Sequence, residues 1–129
     1  MSVDRPTVAL GAALAFVGVA IGAFGAHALR EVLDRGGRAV YETGVHYHLF
    51  HALAVVVLGT IARGEEALLR ACRLMALGVL LFAGSLYVLA VSGVRAWGAV
   101  TPFGGVAFLW AWLGVVTWGL RSQPQASES

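Results

Sequence analysis

Long apolar runs alternate with short polar segments along this chain, and the charged residues fall almost wholly in the segments between. Four runs stand out, at residues 8–29, 46–62, 72–92 and 101–120. At 1.5 Å rise per residue each makes a helix of roughly 25–33 Å, close to the thickness of a bilayer core. The connections are short, so neighbouring helices run antiparallel. The expected fold is all-α: an integral membrane up-down-up-down four-helix transmembrane bundle, a single domain over residues 1–121. Residues 122–129 are polar, lack apolar periodicity and read as a disordered tail.

In the first run Gly11, Ala15, Gly18, Gly22 and Gly25 recur at intervals of four and three. That spacing lays the smallest side chains along one helix face. Helices in lipid gain nothing from hydrophobic burial against each other, so close backbone approach drives their packing. The stripe is expected to meet a neighbouring helix, within the chain or across a homo-oligomer. Thr7 is the candidate N-cap, and Gly36-Gly37 is expected to end the first helix. Arg38, Glu42 and His46 then follow at i, i+4 and i+8, a polar stripe leading into the second helix. Thr101-Pro102 opens the fourth, with proline in the first turn where its missing N–H costs nothing. Trp97 and Trp118 read as interface anchors, Trp110 and Trp112 as packing bulk near mid-bilayer.

Composition agrees with the patterning. Hydrophobic residues make up 59% of the chain and charged residues 12%, where a soluble domain has about a quarter charged. Mean hydropathy is +0.80. The lipid bilayer is the expected surrounding. Nine basic residues, all arginine, are scattered over every connection, so nucleic acid is not an expected partner. Arginine without lysine, beside abundant Ala, Gly and Val, points to a GC-rich bacterial genome. Arg5, the first run and Ala26-His27-Ala28 imitate a cleavable signal peptide; the length of the run and the three runs after it favour a retained helix. An even number of spans puts both termini on one side. Five arginines on that side against four on the other lean toward the cytoplasm.

In this topology the polar residues gather at the non-terminal end: His27, His46, Tyr47, His48, His51, Ser85, Tyr87, Ser92 and Thr101. His51 and Tyr87 lie roughly 7 Å inside their runs and Ser85 about 10 Å, a costly depth for a lipid-facing polar group. His51 shares a helix face with Tyr47 at i, i+4 and is expected to point inward, with a hydroxyl partner on the third helix. Ser85 is favoured over Tyr87, because Gly78 and Ser92 lie seven residues to either side and mark a small-residue interface. Two readings stand. Interhelical glue comes first; a binding or transport site for a small molecule, ion or proton comes second, with no ligand named by the sequence. An enzyme is third, since no phosphate loop, nucleophile triad or zinc spacing occurs. No carboxylate lies within a run, which excludes the proton-coupling acid of a small multidrug exporter. Bis-histidine haem is disfavoured because His27 turns away from the glycine face. The lone Cys72 forms no intramolecular disulfide, and neither cofactor nor metal is expected.

Four short motifs occur in order: Gly22-Ala23-Phe24-Gly25-Ala26-His27, Tyr47 with Phe50-His51-Ala52-Leu53, Gly84-Ser85-Leu86-Tyr87, and Thr101-Pro102-Phe103-Gly104-Gly105. Together they resemble the YgdD-like family of small inner-membrane proteins, domain-of-unknown-function family 423, over about residues 8–120. The resemblance implies a multi-pass protein of the bacterial cytoplasmic membrane. It supplies no catalytic residue, substrate or cofactor. His27, Tyr47, His51, Ser85 and Tyr87 match the family's motif positions and form the candidate polar cluster.

Overall fold

A computed structural model describes residues 2–121, all-helical apart from short connections; the tail expected at 122–129 lies outside the described residues. Asp4 starts the first helix. Its carboxylate accepts from the Thr7 N–H at 3.2 Å and the Thr7 hydroxyl at 2.5 Å. Helix α1 (Arg5–His27) therefore opens with Pro6 in its first turn. Thr7, expected as the cap, lies three residues inside and donates to it, because a carboxylate satisfies the first N–H groups better than a hydroxyl.

Helix α2 (Arg35–Gly59) is capped in the same way, with Asp34 accepting from the Gly37 N–H at 2.6 Å. This corrects the expectation that Gly36-Gly37 ends the first helix. The pair forms the first turn of the second, and neither glycine has a positive φ. Helix α3 (Glu66–Gly78), a π-helical turn (Val79–Ala83) and α4 (Gly84–Ser92) make one continuous rod. Gly93 ends it with φ +71°, a left-handed position suited to glycine, and its N–H returns to the Leu89 carbonyl at 2.8 Å. A 3₁₀ turn (Arg95–Ala99) leads into α5 (Thr101–Leu120), with Pro102 in its first turn.

The rods run antiparallel. At one end the Asp4 N–H donates to the Gly59 carbonyl at 2.8 Å and the Arg63 N–H to the Ser2 carbonyl at 3.1 Å. The Trp118 indole donates to Glu65 there at 3.0 Å, joining the end of α5 to the start of α3. At the other end the Tyr41 hydroxyl donates to the Ile21 carbonyl at 2.6 Å. Helix α1 lies on α2, α5 lies on α3, and α2 packs against the α3–α4 rod between them. Val55, Ala71, Cys72, Met75 and Ala111 form the buried centre, and Val79, Ala83 and Phe108 a second cluster beside the π turn.

Among the described residues three rods are long and apolar enough to cross a membrane: Arg5–His27, Glu66–Ser92 and Arg95–Leu120. Helix α2 is not among them, since Arg35, Arg38 and Glu42 occupy its first turns and His46, His48 and His51 follow. The outward faces are apolar, with Phe16 77% and Leu109 72% exposed. Trp110 joins them at 65% exposed, so it lines the outer face rather than filling the interior.

The small-residue face of α1 lies along α2. A Cβ on Gly11 would fall 2.7 Å from the Val56 nitrogen, and one on Gly18 2.7 Å from a Leu49 methyl and 3.2 Å from His48 Nε2. Gly22 faces Val45 and Gly25 faces the Tyr41 ring, while Ala15, between Gly11 and Gly18, is half-buried. Gly59 returns the contact from α2, where a Cβ would lie 3.0 Å from the Val8 nitrogen. On the third rod Gly78 faces Phe108, but Ser92 is exposed and donates to its own helix at Val88. Ser92 therefore belongs to the helix end, not to an interface.

Candidate functional site

The buried positions of α2 are Tyr41, Gly44, His48, His51, Ala52, Val55 and Gly59. They recur every three or four residues, as an inward seam requires. His48 and His51 are both 3% exposed, whereas Tyr47 is 42% exposed. Polar side chains from α2, α4 and α5, with one backbone carbonyl of α1, lie at or beside this seam in three separate groups.

The first group ties α1, α2 and α4. His48 Nδ1 is 2.8 Å from the Tyr87 hydroxyl and His48 Nε2 is 2.7 Å from the Leu14 carbonyl. A carbonyl only accepts, so Nε2 carries the proton; Nδ1 of the neutral ring then accepts from Tyr87. Tyr87 reaches this position because Gly44 has no side chain: a Cβ there would lie 2.7 Å from the Tyr87 ring. The Tyr41 ring packs beside Tyr87 with centroids 5.4 Å apart.

The second group ties α2 to α5. His51 Nδ1 is 2.8 Å from the Tyr47 carbonyl one turn back, and the Trp112 indole N–H donates to Nε2 at 3.0 Å. Trp112 can only donate, so Nε2 is bare and Nδ1 holds the proton. As neutral rings the two histidines thus carry opposite tautomers. Phe108 stacks on the His51 ring at 3.6 Å between centroids and 8° between planes. The Tyr47 ring lies 4.6 Å from Phe82 and flanks a groove of about 580 Å³ between α2 and α5.

The third group ties α4 to α5. The Ser85 and Thr101 hydroxyls are 2.6 Å apart, and Ser85 donates to the Phe82 carbonyl at 2.9 Å. Phe82 lies within the π turn, where the regular i→i−4 ladder is interrupted.

The candidate cluster is therefore divided. The expected hydroxyl partner of His51 is corrected: Ser85 pairs with Thr101, Tyr87 with His48, and His51 with the Trp112 indole. His27 is exposed in the last turn of α1 and joins none of these groups. Its position at a helix C-terminus suits an imidazole, because the last carbonyls carry partial negative charge. Tyr47 contributes its carbonyl and its ring face. Residues not assigned to the cluster from sequence are His48, Tyr41, Thr101 and Trp112.

The family described as "Protein of unknown function (DUF423)" matches residues 21–105. The chain is 42% identical over 112 residues to the UPF0382 membrane protein YwdK of Bacillus subtilis, covering 84% of this chain and 91% of that one. It is 39% identical over 108 residues to the UPF0382 inner membrane protein YgdD of Escherichia coli, covering 82% of each. A UPF0382 membrane protein of Staphylococcus haemolyticus is 39% identical over 107 residues, covering 82% of this chain and 88% of the relative. This chain belongs to the DUF423 family. It is a membrane protein, as its relatives are named. No solved structure matches the chain. The DUF423 match contains His48, His51, Ser85, Tyr87 and Thr101 and stops before Trp112.

A double-mutant cycle tests the α2–α5 tie in this DUF423 protein. His51→Phe keeps a ring to stack on Phe108, and Trp112→Phe removes the donor. The cycle should return a coupling of about 0.6 kcal/mol and no more than about 1.7 kcal/mol, the range for polar pairs inside membranes. Unfolding by denaturing detergent, followed by circular dichroism, reads it. Zero coupling would mean that the indole does not bond the imidazole.

Proposed function

We propose that this protein is a four-span, non-catalytic structural or accessory component of the bacterial cytoplasmic membrane. Its buried His, Tyr, Ser and Trp groups fasten helix to helix. The observation that carries the reading is that each ring nitrogen of both interior histidines already has an intramolecular partner. A histidine that binds a ligand or moves a proton needs a nitrogen free to face it. At His51 any incoming cation must first displace the Trp112 N–H. Among the described residues no buried side-chain polar atom lacks a hydrogen bond.

The fourth span is supported by the register of α2 on α1. Contacts run from Tyr41 with Ile21 at one end to Gly59 with Asp4 at the other. That stretch of α2 is about 27 Å long at 1.5 Å per residue. A helix lying beside α1 over that length shares its passage through the bilayer, with Arg35 and Arg38 beyond it and Glu42 at its edge. The excess of arginine at the terminal end favours cytoplasmic termini.

Ring-nitrogen NMR of isotope-labelled histidine in lipid nanodiscs tests the fastening. His51 should show the Nδ1–H tautomer and His48 the Nε2–H tautomer at neutral pH, each as one sharp set. Diethylpyrocarbonate should modify His27 and His46 and spare the other two. Rapid modification of His51, or an averaged tautomer there, would overturn the fastening reading in favour of an open binding or transport site.

A further inference from the structure

A cleft of about 730 Å³ opens between the last turns of α1 and the Arg38–Leu53 stretch of α2, and no residue of the α3–α4 rod lines it. Its polar mouth is made by Arg30 from the α1–α2 connection and by Arg38, Glu42 and His46 from α2. Below these, Leu49, Phe50 and Leu53 continue the lining as an apolar track. Phe50 is 57% and Leu53 62% exposed, so no other part of the described chain covers the track.

The two arginines are uncommitted. The one ion pair among the described residues joins Arg73 to Glu66 at the opposite end of the molecule. Arg38 is half-buried and has no carboxylate within 4 Å, although Glu42 follows one turn later. Among the lining residues two guanidinium groups stand against one carboxylate, whatever the charge of His46; Glu31 and Asp34 of the same connection do not line the cleft. Guanidinium groups bind phosphate oxygens through paired N–H donors.

The dimensions match one leaflet. From Arg38 to Leu53 the helix rises about 22 Å. Half a bilayer core is about 15 Å deep and the headgroup zone adds roughly 5–7 Å. We infer that this cleft is a binding site for one anionic phospholipid, its phosphate held by Arg30 and Arg38 and one acyl chain laid over Leu49, Phe50 and Leu53. Glycines 22 and 25 of α1 line the opposite wall, against Val45 and the Tyr41 ring. Bulk annular lipid needs no such charge at a groove mouth. A cationic mouth above an apolar track selects by headgroup.

Native mass spectrometry of the full-length protein tests the site, after exchange into mixed micelles containing dioleoylphosphatidylglycerol or dioleoylphosphatidylcholine. One phosphatidylglycerol should remain bound at collision energies that strip phosphatidylcholine. The double variant Arg30→Gln/Arg38→Gln should lose at least roughly tenfold in retained phosphatidylglycerol, given the attraction of each basic side chain for an anionic lipid. Arg95→Gln, outside the cleft, should match the wild type. Arg30→Lys/Arg38→Lys should recover part of the retention, which separates charge from fold, and circular dichroism checks helicity of each variant. Equal retention of both lipids, or of phosphatidylglycerol by wild type and the Gln variant, would overturn the assignment. Displacement of the lipid by millimolar inorganic phosphate would do the same, since it would make the acyl track irrelevant.

Discussion

Gly104→Leu should largely abolish the folded protein, while Gly105→Leu next to it should fold nearly as the wild type does. A Cβ at position 104 would run into the backbone nitrogen of Phe82 and lie 2.7 Å from its Cα. At position 105 the nearest atoms are the Phe82 ring carbons at 3.9 and 4.0 Å, ordinary contact distance. A side-chain neighbour can rotate away, but a backbone neighbour in the middle of a rod cannot. Here the neighbour belongs to the π turn, and the same approach seats α5 so that Thr101 meets Ser85 and Trp112 meets His51. Overpacking a tight contact costs about 1–3 kcal/mol, and losing this seat removes both polar ties as well. Thermal loss of helicity in detergent, with yield of monodisperse protein, reads the difference. Equal behaviour of the two leucine variants would mean that α5 does not sit on the π turn as described.

The second large effect is expected at Gly11. Its missing side chain lets the α2 backbone approach so closely that a Cβ would lie 2.7 Å from the Val56 nitrogen and 3.0 Å from the Ala52 carbonyl oxygen. Gly11→Leu should therefore prise α1 from α2 and destabilise by about 1–3 kcal/mol or more. Gly22→Ala should cost much less, because its nearest neighbour is one Val45 methyl at 3.2 Å. Gly119→Leu, with nothing within 4 Å, should be neutral. A denaturing-detergent titration that ranks these three in another order would show that α1 packs through a different face.

Much of this arrangement was legible in the sequence. The four apolar runs anticipate the helical rods, and the regular small residues of α1 anticipate its contact face. The inward side of α2 was harder to find. Starting from His51, the interval of three and four leads to His48, Gly44 and Tyr41; starting from Tyr47 at i, i+4 it leads to the flank. Both choices fit a single helix, and only the neighbours decide between them. Here Gly44 decides, because it leaves room for Tyr87. Trp112 was assigned to bulk since an indole presents mostly apolar surface, yet its one N–H needs an acceptor when buried. The π turn left no mark in Val79–Ala83, which any apolar helix would accept. Asp4 and Asp34 were readable as caps by residue type, but the glycine pair at 36–37 looked like a helix end. Glycine tolerates that first turn because the capping carboxylate holds it.

The helix with the weakest membrane character is also the one that every other rod touches. On the four-span reading, α2 carries two imidazoles whose hydrogen-bond partners lie on α1, α4 and α5. During synthesis α1 leaves the ribosome first and can offer its glycine face and the Leu14 carbonyl at once. Tyr87 and Trp112 emerge only much later. Helix α2 would therefore enter the bilayer as the second arm of a hairpin with α1, keeping His51 without its indole partner until the last helix arrives. Biogenesis of so small a protein would then depend on chain order, and circular permutants beginning at α2 should insert poorly although every contact of the finished fold is retained.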